Sequence, residues 1–422
     1  MMRKKDQILI RKETDMLATL IPLFDSEMAV RAYSIFAQRQ NLLLQPVFAG
    51  GNRFDGAGSV VGLDIVDSIG LSNLADDREV FIELNDINIF ADIKSQCKAP
   101  HDKLVLLIDS SVTPTENYVS RIAELKKSNY KFAIRKLQIE QFETYKPILL
   151  MMDYILLDHR KIKISVAKEY FSKVYPNIRL CAVNVDSQDD YEKLKSDGGY
   201  DLYEGAFFRM PIVKAEREVA PLKVNYIELL NIVNEPDYDL TKASDVIQRD
   251  TALVISLLKM VNRMTVNSGI NSVNHAAAML GQRELKKWIN TAVTKELCAD
   301  RPSEITRMSL IRAKFAEELA TIYDKKGLAS ELFLMGLFSV LDLILDQPME
   351  KALEMVKVSK MIQDALISGK GELAPILTFM KEYENASWQE VSRLMVLQDI
   401  DMDSVYGAYI SSLKWYRDLF TA

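Results

Sequence analysis

The sequence predicts two folded units, an N-terminal α/β barrel of the (β/α)8 type followed by a C-terminal all-α domain. In the first half, short apolar runs alternate with helical stretches, which is typical of a parallel sheet with helical crossovers. Beyond residue 221 the strand-like runs cease and amphipathic helices follow one another. The 422 residues are too many for one ordinary core and suit two domains of about 200 residues each.

The composition excludes several classes of protein. Hydrophobic residues make up 48% of the chain and charged residues 27%, as in a folded protein. A net charge of −6 argues against a basic face for nucleic acid, so we expect no nucleic-acid partner. Cys97, Cys181 and Cys298 form no CxxC pair, which favours a reduced, cytoplasmic protein without a zinc site. No apolar run reaches the roughly 18 to 20 residues of a bilayer span, so we expect no membrane contact.

Six apolar runs in the first half are candidate strands. They cover residues 42–44, 80–84, 104–108, 131–134, 154–157 and 178–183, with helical stretches at residues 116–128, 162–174 and 189–196. This order is compatible with a (β/α)8 barrel, whose chemistry would lie at the C-terminal ends of its strands. The pattern alone leaves a doubly wound open sheet as an alternative.

Three helices of the second half are predicted from their caps and apolar stripes. Asp250 can cap a helix with apolar residues at positions 254, 257, 258 and 261. Ser272 and Gly281 can begin and end the next helix, because a serine hydroxyl accepts from a free N–H and glycine tolerates a left-handed turn. A third helix has apolar residues at positions 311, 315, 319 and 322 and is predicted to close at Gly327.

Motifs at both ends of the first half resemble the EAL domain, the cyclic di-GMP phosphodiesterase family. Residues 21–25 and 32–36 are similar to its beginning, and residues 203–211 are similar to its closing strand and loop. Segments 130–134, 153–158 and 180–187 fall between them in the family's order. The resemblance implies an EAL barrel over residues 15–213, after an N-terminal extension at residues 1–14.

The second half resembles the HDOD domain, a non-enzymatic relative of the HD phosphohydrolases. The similarity lies in residues 247–253, 257–263, 273–281, 312–320 and 333–342. It implies a linker at residues 214–221 and a helical HDOD domain at residues 222–422. The order of the two domains resembles that of the YuxH-like bacterial signalling proteins.

The EAL resemblance also implies where a phosphodiesterase site would lie, and this chain departs from the family pattern there. An active member holds two divalent metals with several carboxylates and an asparagine at one mouth of the barrel. The matching positions carry Ser34, Gln38, Glu83, Leu107, Arg135, Lys136, Leu156, Asp158, Val183 and Glu204, of which only Asp158 clearly keeps the family's residue. The resemblance therefore implies a degenerate EAL domain that has lost metal binding and hydrolysis.

Arg135 and Lys136 stand in place of the family's pair of aspartates. Two cations at a barrel mouth could attract a phosphate, or could form ion pairs with Glu83, Glu204 or Asp158, and we favour the ion pairs. Arg39 is next to Gln38 but would point elsewhere on a regular helix.

The sequence pattern also lacks an HD metal site. Ser339 and Val340 occupy the position of the histidine–aspartate pair that HD phosphohydrolases use for metal binding. His275 is expected on a helix face and Asp342 in a polar contact of a helix. The methionines at positions 260, 264 and 279 are expected to fill the core.

The sequence therefore predicts a catalytically inactive regulator rather than an enzyme, with no cofactor. It would act through contacts with an unidentified regulatory protein, and the resemblance implies a link to cyclic di-GMP signalling, motility or biofilm control. The resemblance also implies that the protein could form a homodimer, because EAL barrels often dimerise. One alternative is a non-hydrolysing sensor that binds cyclic di-GMP or another anion at Arg135 and Lys136. The third and least favoured interpretation is residual phosphodiesterase activity through rearranged ligands such as Asp158, Glu83 and Glu204. Binding of cyclic di-GMP is not expected but is kept open.

Overall fold

The first half of the chain is a closed barrel of eight strands, arranged in sequence order around the barrel. The computed structural model describes residues 16–39, 59–209, 221–264, 270–299 and 303–420. The barrel confirms the expected fold class and excludes an open sheet. Its strands are β1 Met16–Phe24, β2 Val30–Arg39, β3 Glu79–Glu83, β4 Leu104–Ile108, β5 Lys131–Arg135, β6 Tyr154–Asp158, β7 Arg179–Val183 and β8 Leu202–Glu204.

Among the described strands, β1 alone runs antiparallel to its neighbours. It pairs antiparallel with both β2 and β8, whereas the other neighbouring strands pair in parallel. The turn between β1 and β2 is held by the carboxylate of Asp25, which accepts from the backbone N–H of Glu27 at 2.8 Å and of Ala29 at 3.0 Å. The helical geometry assumed for Arg39 is wrong, because this residue ends β2.

The sequence locates most of the remaining barrel elements. The later predicted strands and the three predicted helices agree with the structure to within two residues at each end. The run at residues 42–44 and the linker at residues 214–220 lie outside the described residues, and Pro221 begins a helix. The barrel helices are α1 Val61–Ile69, α2 Leu71–Ala75, α3 Ile93–Gln96, α4 Glu116–Lys127, α5 Lys146–Leu149, α6 Ile164–Val174 and α7 Gln188–Asp197.

An apolar layer fills the inside of the barrel. Alternate residues of each strand point inward, so one face of every strand contributes to this layer. Polar contacts close its N-terminal end, where the Tyr154 hydroxyl and the Lys131 ammonium both contact the Glu79 carboxylate. The barrel interior is therefore a packed core. Its cluster comprises Leu23, Ala32, Phe81, Val105, Leu107, Ala133, Tyr154, Leu156, Cys181 and Leu202.

The second half consists of helices, as the sequence predicts. No helix in the described ranges is long and apolar enough to cross a membrane. The helices are α8 Pro221–Val233, α9 Leu240–Ile247, α10 Thr251–Met264, α11 Val273–Leu297, α12 Ser303–Ile322, α13 Ala329–Phe338, α14 Leu341–Leu345, α15 Met349–Met355, α16 Lys360–Gln363, α17 Ala374–Glu384, α18 Trp388–Gln398 and α19 Met402–Asp418.

The helix caps predicted from the sequence form. The carboxylate of Asp250 accepts from two backbone N–H groups at the start of α10, at 2.8 and 3.0 Å. The hydroxyl of Ser272 accepts from the N–H of His275 at 3.5 Å and begins α11. Gly281, with φ of 73°, interrupts α11 where the sequence predicts a helix end. Helix α12 ends at residue 322, well before Gly327.

The expectation that the three methionines fill the core is wrong for two of them. Met264 is 63% exposed and Met279 is 47% exposed. Met264 is the last residue of α10, and Met279 lies two residues before the break at Gly281 in α11. At both positions the helix no longer directs the side chain toward the core. His275 is exposed on a helix face, as the sequence predicts.

The two halves of the chain pack against each other through the β1–β2 hairpin. One continuous apolar core runs from the barrel into the helical half. The hydroxyl of Tyr33 on β2 donates to the carboxylate of Glu304 on α12 at 2.8 Å. The guanidinium of Arg307, also on α12, lies 4.8 Å from the centroid of the Tyr33 ring and donates to the carbonyl oxygen of Leu74 at 3.1 Å.

A buried ion cluster made of Arg209, Arg312 and Glu384 joins the halves a second time. Arg312 on α12 donates to both carboxylate oxygens of Glu384 on α17, through Nε at 2.8 Å and Nη2 at 2.6 Å. Arg209, in the turn after β8, places Nη1 at 4.0 Å from the same carboxylate. Burial alone would raise the pKa of Glu384, but the two guanidinium groups hold it below its ordinary value. Glu384 is therefore ionised and charge-paired.

We predict that Glu384→Ala lowers the free energy of unfolding by about 3 to 5 kcal/mol, because it leaves the buried guanidinium of Arg312 without its counter-charge. Urea-induced unfolding of the full chain measures the effect. Glu350→Ala, on the exposed surface of α15, is the control and should change the stability by less than about 0.5 kcal/mol. Equal effects of the two substitutions would contradict a stabilising role for the ion cluster.

We also predict that Gly336→Ala destabilises the contact between α12 and α13. An added Cβ at position 336 would lie 2.6 Å from the carbonyl carbon of Arg312 and 2.8 Å from the Cα of Ala313, and backbone atoms cannot move aside as a side chain can. The expected loss is about 1 to 3 kcal/mol in the free energy of unfolding.

Gly407→Ala is the matched control for this substitution. It lies within α19 and an added Cβ has no described heavy atom within 4 Å. It should raise the stability by up to about 1 kcal/mol, because alanine favours a helix over glycine. A stable Gly336→Ala variant would show that α12 and α13 can separate without cost.

Candidate functional site

The C-terminal ends of the barrel strands meet at one mouth, and charged residues occupy these ends. Glu83 ends β3, Arg135 ends β5, Asp158 ends β6 and Glu204 ends β8. In a barrel of parallel strands such ends lie on the same face, which is where the known barrel enzymes place their chemistry. The charges of Glu83 and Arg135 act on Glu204, so these three side chains lie together, whereas Asp158 pairs with Arg160.

A cavity of about 210 Å³ opens at this mouth, on the side of strands β2 to β5. Its polar lining consists of Glu83, Asn85, Asn88, Asp109 and Arg135, and its apolar wall is formed by residues of β2, α1 and β4. The cavity is smaller than pockets that enclose a whole drug-sized ligand, which measure about 300 to 1,000 Å³. Its size suits the phosphate group and one edge of a larger ligand.

The two cations at the mouth each face a carboxylate. Nη2 of Arg135 contacts Oε1 of Glu83, and the Arg135 guanidinium lies 5.9 Å from the centroid of the Phe36 ring. Nζ of Lys136 lies 3.6 Å from Oδ2 of Asp109. Lys136 is 62% exposed and Glu83 is 43% exposed, so water screens both pairs and a ligand phosphate can compete for the cations.

Two carboxyl groups at the mouth are held in the ionised form. For Asp109, burial opposes ionisation, but hydrogen bonds from Ser111 and the charges of Lys136 and Arg135 keep its pKa below the ordinary value. For Asp158, burial is again outweighed, here by hydrogen bonds from the side chain of Arg160 at 3.0 Å and from its backbone N–H at 3.1 Å, and its pKa is lowered.

Glu204 behaves in the opposite way. Burial raises the pKa of its carboxyl group, and the hydrogen bond that Ser34 Oγ donates to Glu204 Oε2 at 3.0 Å offsets only part of this effect. The charge of Arg135 lowers the pKa and that of Glu83 raises it. The environments at the mouth therefore shift the pKa values of its carboxyl groups in opposite directions.

The other positions matched to the EAL site do not form polar parts of the mouth. Leu107 and Leu156 belong to the apolar layer inside the barrel, and Val183 packs against it. The structure does not bring Gln38 to the mouth. Its amide instead donates to the hydroxyl of Ser392 on α18 at 3.2 Å, because β2 extends beyond the barrel toward the helical half.

Sequence reasoning missed two polar residues of the mouth, Asp109 and Asn88. Asp109 directly follows β4, a strand buried along its whole length, and a polar residue in that position of a parallel barrel is a usable signal. Asn88 accepts from the backbone N–H of Asn85 at 2.7 Å and shapes the loop after β3. A hydrogen bond within a loop leaves no periodic pattern in the sequence, so the sequence gives no signal for the role of Asn88.

The metal pair that the EAL resemblance implies does not fit the side chains at the mouth. Within the residues that the structure describes, no group of three or more His, Cys, Asp or Glu side chains is placed to hold a metal ion. The mouth carboxylates instead face Arg135, Lys136 and Arg160. A metal-dependent step therefore has no set of ligands in this part of the chain.

Comparisons with known proteins relate the chain to cyclic di-GMP signalling proteins. The HDOD domain family model matches residues 219–365. The chain is 26% identical over 325 residues to the cyclic di-GMP phosphodiesterase CdgJ of Vibrio cholerae serotype O1, covering 76% of this chain and 74% of CdgJ. It is 24% identical over 367 residues to the uncharacterized protein YuxH of Bacillus subtilis, covering 84% of this chain and 88% of YuxH. These matches confirm the resemblance to the HDOD domain over residues 219–365 and the resemblance to YuxH.

Solved EAL structures are similar to the barrel half. The Klebsiella pneumoniae protein BlrP1, solved with calcium and cyclic di-GMP, gives a TM-score of 0.37 at 11% identity, covering 45% of this chain and 54% of BlrP1. A standalone EAL protein from Vibrio cholerae O395, solved with cyclic di-GMP, gives a TM-score of 0.33 at 15% identity, covering 46% of this chain and 90% of that protein. This chain thus matches about half the length of BlrP1.

Two sequence-based predictions are wrong, namely that the chain is an inactive regulator and that it is not an enzyme. The related CdgJ is named a cyclic di-GMP phosphodiesterase, which points to enzymatic activity. The predictions relied on the replaced EAL positions alone. They left out Asp109 and the raised pKa of Glu204, which depend on the fold and not on matched positions.

We predict that Glu204→Gln stabilises the protein at pH 8. The raised pKa means that the charged carboxylate costs stability above that pKa, and an amide of the same shape removes the charge while it still accepts from Ser34. The gain should shrink as the pH falls through the raised pKa and should be smallest near the ordinary glutamate value of 4.5. Urea-induced unfolding at a series of pH values measures it.

Glu140→Gln, on the exposed surface, is the control for this series. It should leave the free energy of unfolding unchanged within about 0.5 kcal/mol. A stability gain for Glu204→Gln that grows as the pH falls would mean that the neighbours of Glu204 stabilise its carboxylate, and the pKa of this group would then be lowered rather than raised.

Proposed function

We propose that this protein binds cyclic di-GMP at the barrel mouth and hydrolyses it, and so acts as a phosphodiesterase in cyclic di-GMP signalling. The observation that carries the proposal is the mouth itself, where the half-buried Arg135 and the exposed Lys136 lie beside carboxyl groups whose pKa values are shifted in opposite directions. The relationship to CdgJ, which is named for this activity, supports the choice of substrate.

Arg135 and Lys136 are the groups that would hold the substrate phosphate. A guanidinium group offers a planar pair of donors that matches two phosphate oxygens, and the neighbouring ammonium adds a second positive charge. On binding, the phosphate would replace Glu83 and Asp109 as the partners of these cations. The pairs are accessible to water on one side, so this exchange does not require the barrel to open.

The carboxyl groups of the mouth can supply the proton transfers of hydrolysis. An oxygen–phosphorus bond forms to water, and the bond between phosphorus and the ribose oxygen breaks to give a linear dinucleotide. Asp109, which stays ionised, can accept the proton that water loses. Glu204, whose raised pKa favours the protonated form, can give a proton to the leaving oxygen, while Arg135 stabilises the charge on the remaining phosphate oxygens.

We further infer that the protein works in the bacterial cytoplasm and that its two domains divide at the linker predicted from the sequence. The three cysteines are free and buried, which supports a reducing compartment. The described elements on either side support the division, because the turn after β8 ends at Arg209 and α8 begins at Pro221.

The test is a hydrolysis assay of the purified full chain with cyclic di-GMP, in which chromatography measures the linear product. We expect Arg135→Gln to lower kcat/KM by about 100-fold, because the variant loses the charged donor to the phosphate. Arg283→Gln is the matched control, since Arg283 is 80% exposed on α11 and should leave the rate unchanged. No product with any divalent metal, or equal rates for the two variants, would contradict the proposal.

The same assay with Mg²⁺, with Mn²⁺ and with a chelator tests the acid–base roles. Turnover that survives the chelator is expected, because the described mouth carboxylates form no metal-binding group. Turnover that requires a metal would mean that these carboxylates exchange their cation partners for the metal. The roles given to Asp109 and Glu204 would then be wrong, although the phosphodiesterase activity would stand.

A further inference from the structure

A second cavity, of about 350 Å³, lies between the barrel and the helical half. The barrel contributes Ala206 and Arg209 from the turn after β8, and the helical half contributes residues of α12, α14 and α17 and of the turn before α14. The volume falls within the range of about 300 to 1,000 Å³ that small-molecule sites occupy. It is separate from the barrel mouth, because none of its lining residues lines the mouth cavity.

Positive charge dominates the lining of this interdomain cavity. Arg209, Arg312 and Lys381 line it, against the single carboxylate of Asp342. The ion pair with Glu384 neutralises Arg312, and it also leaves Nη1 of Arg312 as a donor to the Ser339 hydroxyl at 3.1 Å. Arg209 is paired less closely, with its Nη1 at 4.0 Å from the carboxylate of Glu384, so Arg209 and Lys381 are the groups that can attract an anion.

Arg209 has unused hydrogen-bonding capacity. Its Nη1 donates to the amide oxygen of Asn385 at 2.7 Å, but its Nε is buried without a hydrogen-bond partner. A buried donor without an acceptor costs about 1 to 3 kcal/mol, and structures keep one where something else can satisfy it. The Nε is closed to solvent, so an anionic oxygen in the cavity would reach it only after a change in the Arg209 side chain.

Lys381 also lines the cavity. Desolvation and the nearby guanidinium of Arg312 lower the pKa of Lys381, and the charges of Glu384 and Asp342 offset this effect only in part. A bound anion would add to this counter-charge and favour the charged ammonium. Met308, Leu343 and Leu366 are apolar residues of the same lining and can pack against a ring.

We propose that this cavity binds a small organic phosphate of the size of a nucleoside monophosphate, with the phosphate group between Arg209 and Lys381. The amide of Asn385 and the hydroxyl of Ser339 lie in the same lining and can complete the phosphate's hydrogen bonds. Both halves of the chain contribute to the site, so the ligand stabilises one arrangement of the barrel and the helical half. The site is independent of the activity proposed for the mouth.

Isothermal titration of the full chain with AMP, adenosine and inorganic phosphate tests the proposal. AMP should bind saturably and more tightly than inorganic phosphate, because the apolar residues of the lining contact the nucleoside part, and adenosine should not bind. Saturable binding of inorganic phosphate without any gain for AMP would overturn the organic-phosphate assignment. The absence of saturable AMP binding would overturn the site.

Two substitutions with opposite expected effects on the affinity for AMP test whether the ligand lies in the cavity. Lys381→Met should weaken AMP binding about tenfold, because it removes one charged donor. Asp342→Asn should strengthen it, because it removes the single negative charge of the lining while keeping the side-chain shape. Lys360→Met, on the exposed surface of α16 outside the cavity, is the matched control. Equal affinities for Lys381→Met and the control would overturn the proposal.

A third variant separates this site from the barrel mouth. Arg135→Gln changes the mouth and should leave the affinity for AMP unchanged. If it weakens AMP binding as much as Lys381→Met does, AMP binds elsewhere and the cavity assignment fails. Failure of cyclic di-GMP hydrolysis, in contrast, would leave the expected AMP results unaffected.

Discussion

The arrangement of the two halves depends on the buried cluster of Arg209, Arg312 and Glu384. Removing such charges from water costs several kcal/mol for each ion, and this cost is offset only when the partners meet in good geometry. Here the bidentate contact of Arg312 with Glu384 provides that geometry between α12 and α17, and Arg209 brings the end of the barrel to the same carboxylate. The turn after β8 therefore cannot shift without exposing a buried charge, which fixes the barrel relative to the helices.

The β1–β2 hairpin is constrained on two sides, because one face packs inside the barrel and the other packs against the helical half. Ala32 faces the apolar layer inside the barrel, whereas the neighbouring Tyr33 faces α12 and donates to Glu304. Burial raises the pKa of Glu304, and the charge of Arg307 and the hydrogen bond from Tyr33 lower it in part. Strand β2 closes the barrel and forms a domain interface at once, so most of its side chains are buried, and within residues 30–38 only Arg31 is exposed.

The limit of sequence-based prediction follows from how far apart in the chain the contacting residues lie. The later strands, the caps at Asp250 and Ser272 and the break at Gly281 depend on neighbouring residues, and local patterns located them correctly. The position of Gln38, the pairing of Arg312 with Glu384 and the raised pKa of Glu204 depend on residues between 72 and 354 positions away. A single sequence carries no signal for such contacts, because many distant partners would suit each residue equally well.

One short segment links the barrel mouth to the interdomain cavity. Glu204 lies at the mouth and Arg209 at the cavity, and the chain between them is closely held. The N–H of Val185 donates to the carbonyl oxygen of Glu204 at 3.1 Å, and its own carbonyl oxygen accepts from the N–H of Phe207 at 3.1 Å. Gly205 packs so near this backbone that a Cβ there would lie 2.6 Å from the Val185 nitrogen. A ligand at either site would act on the same rigid turn, and any effect of one on the affinity of the other would be reciprocal.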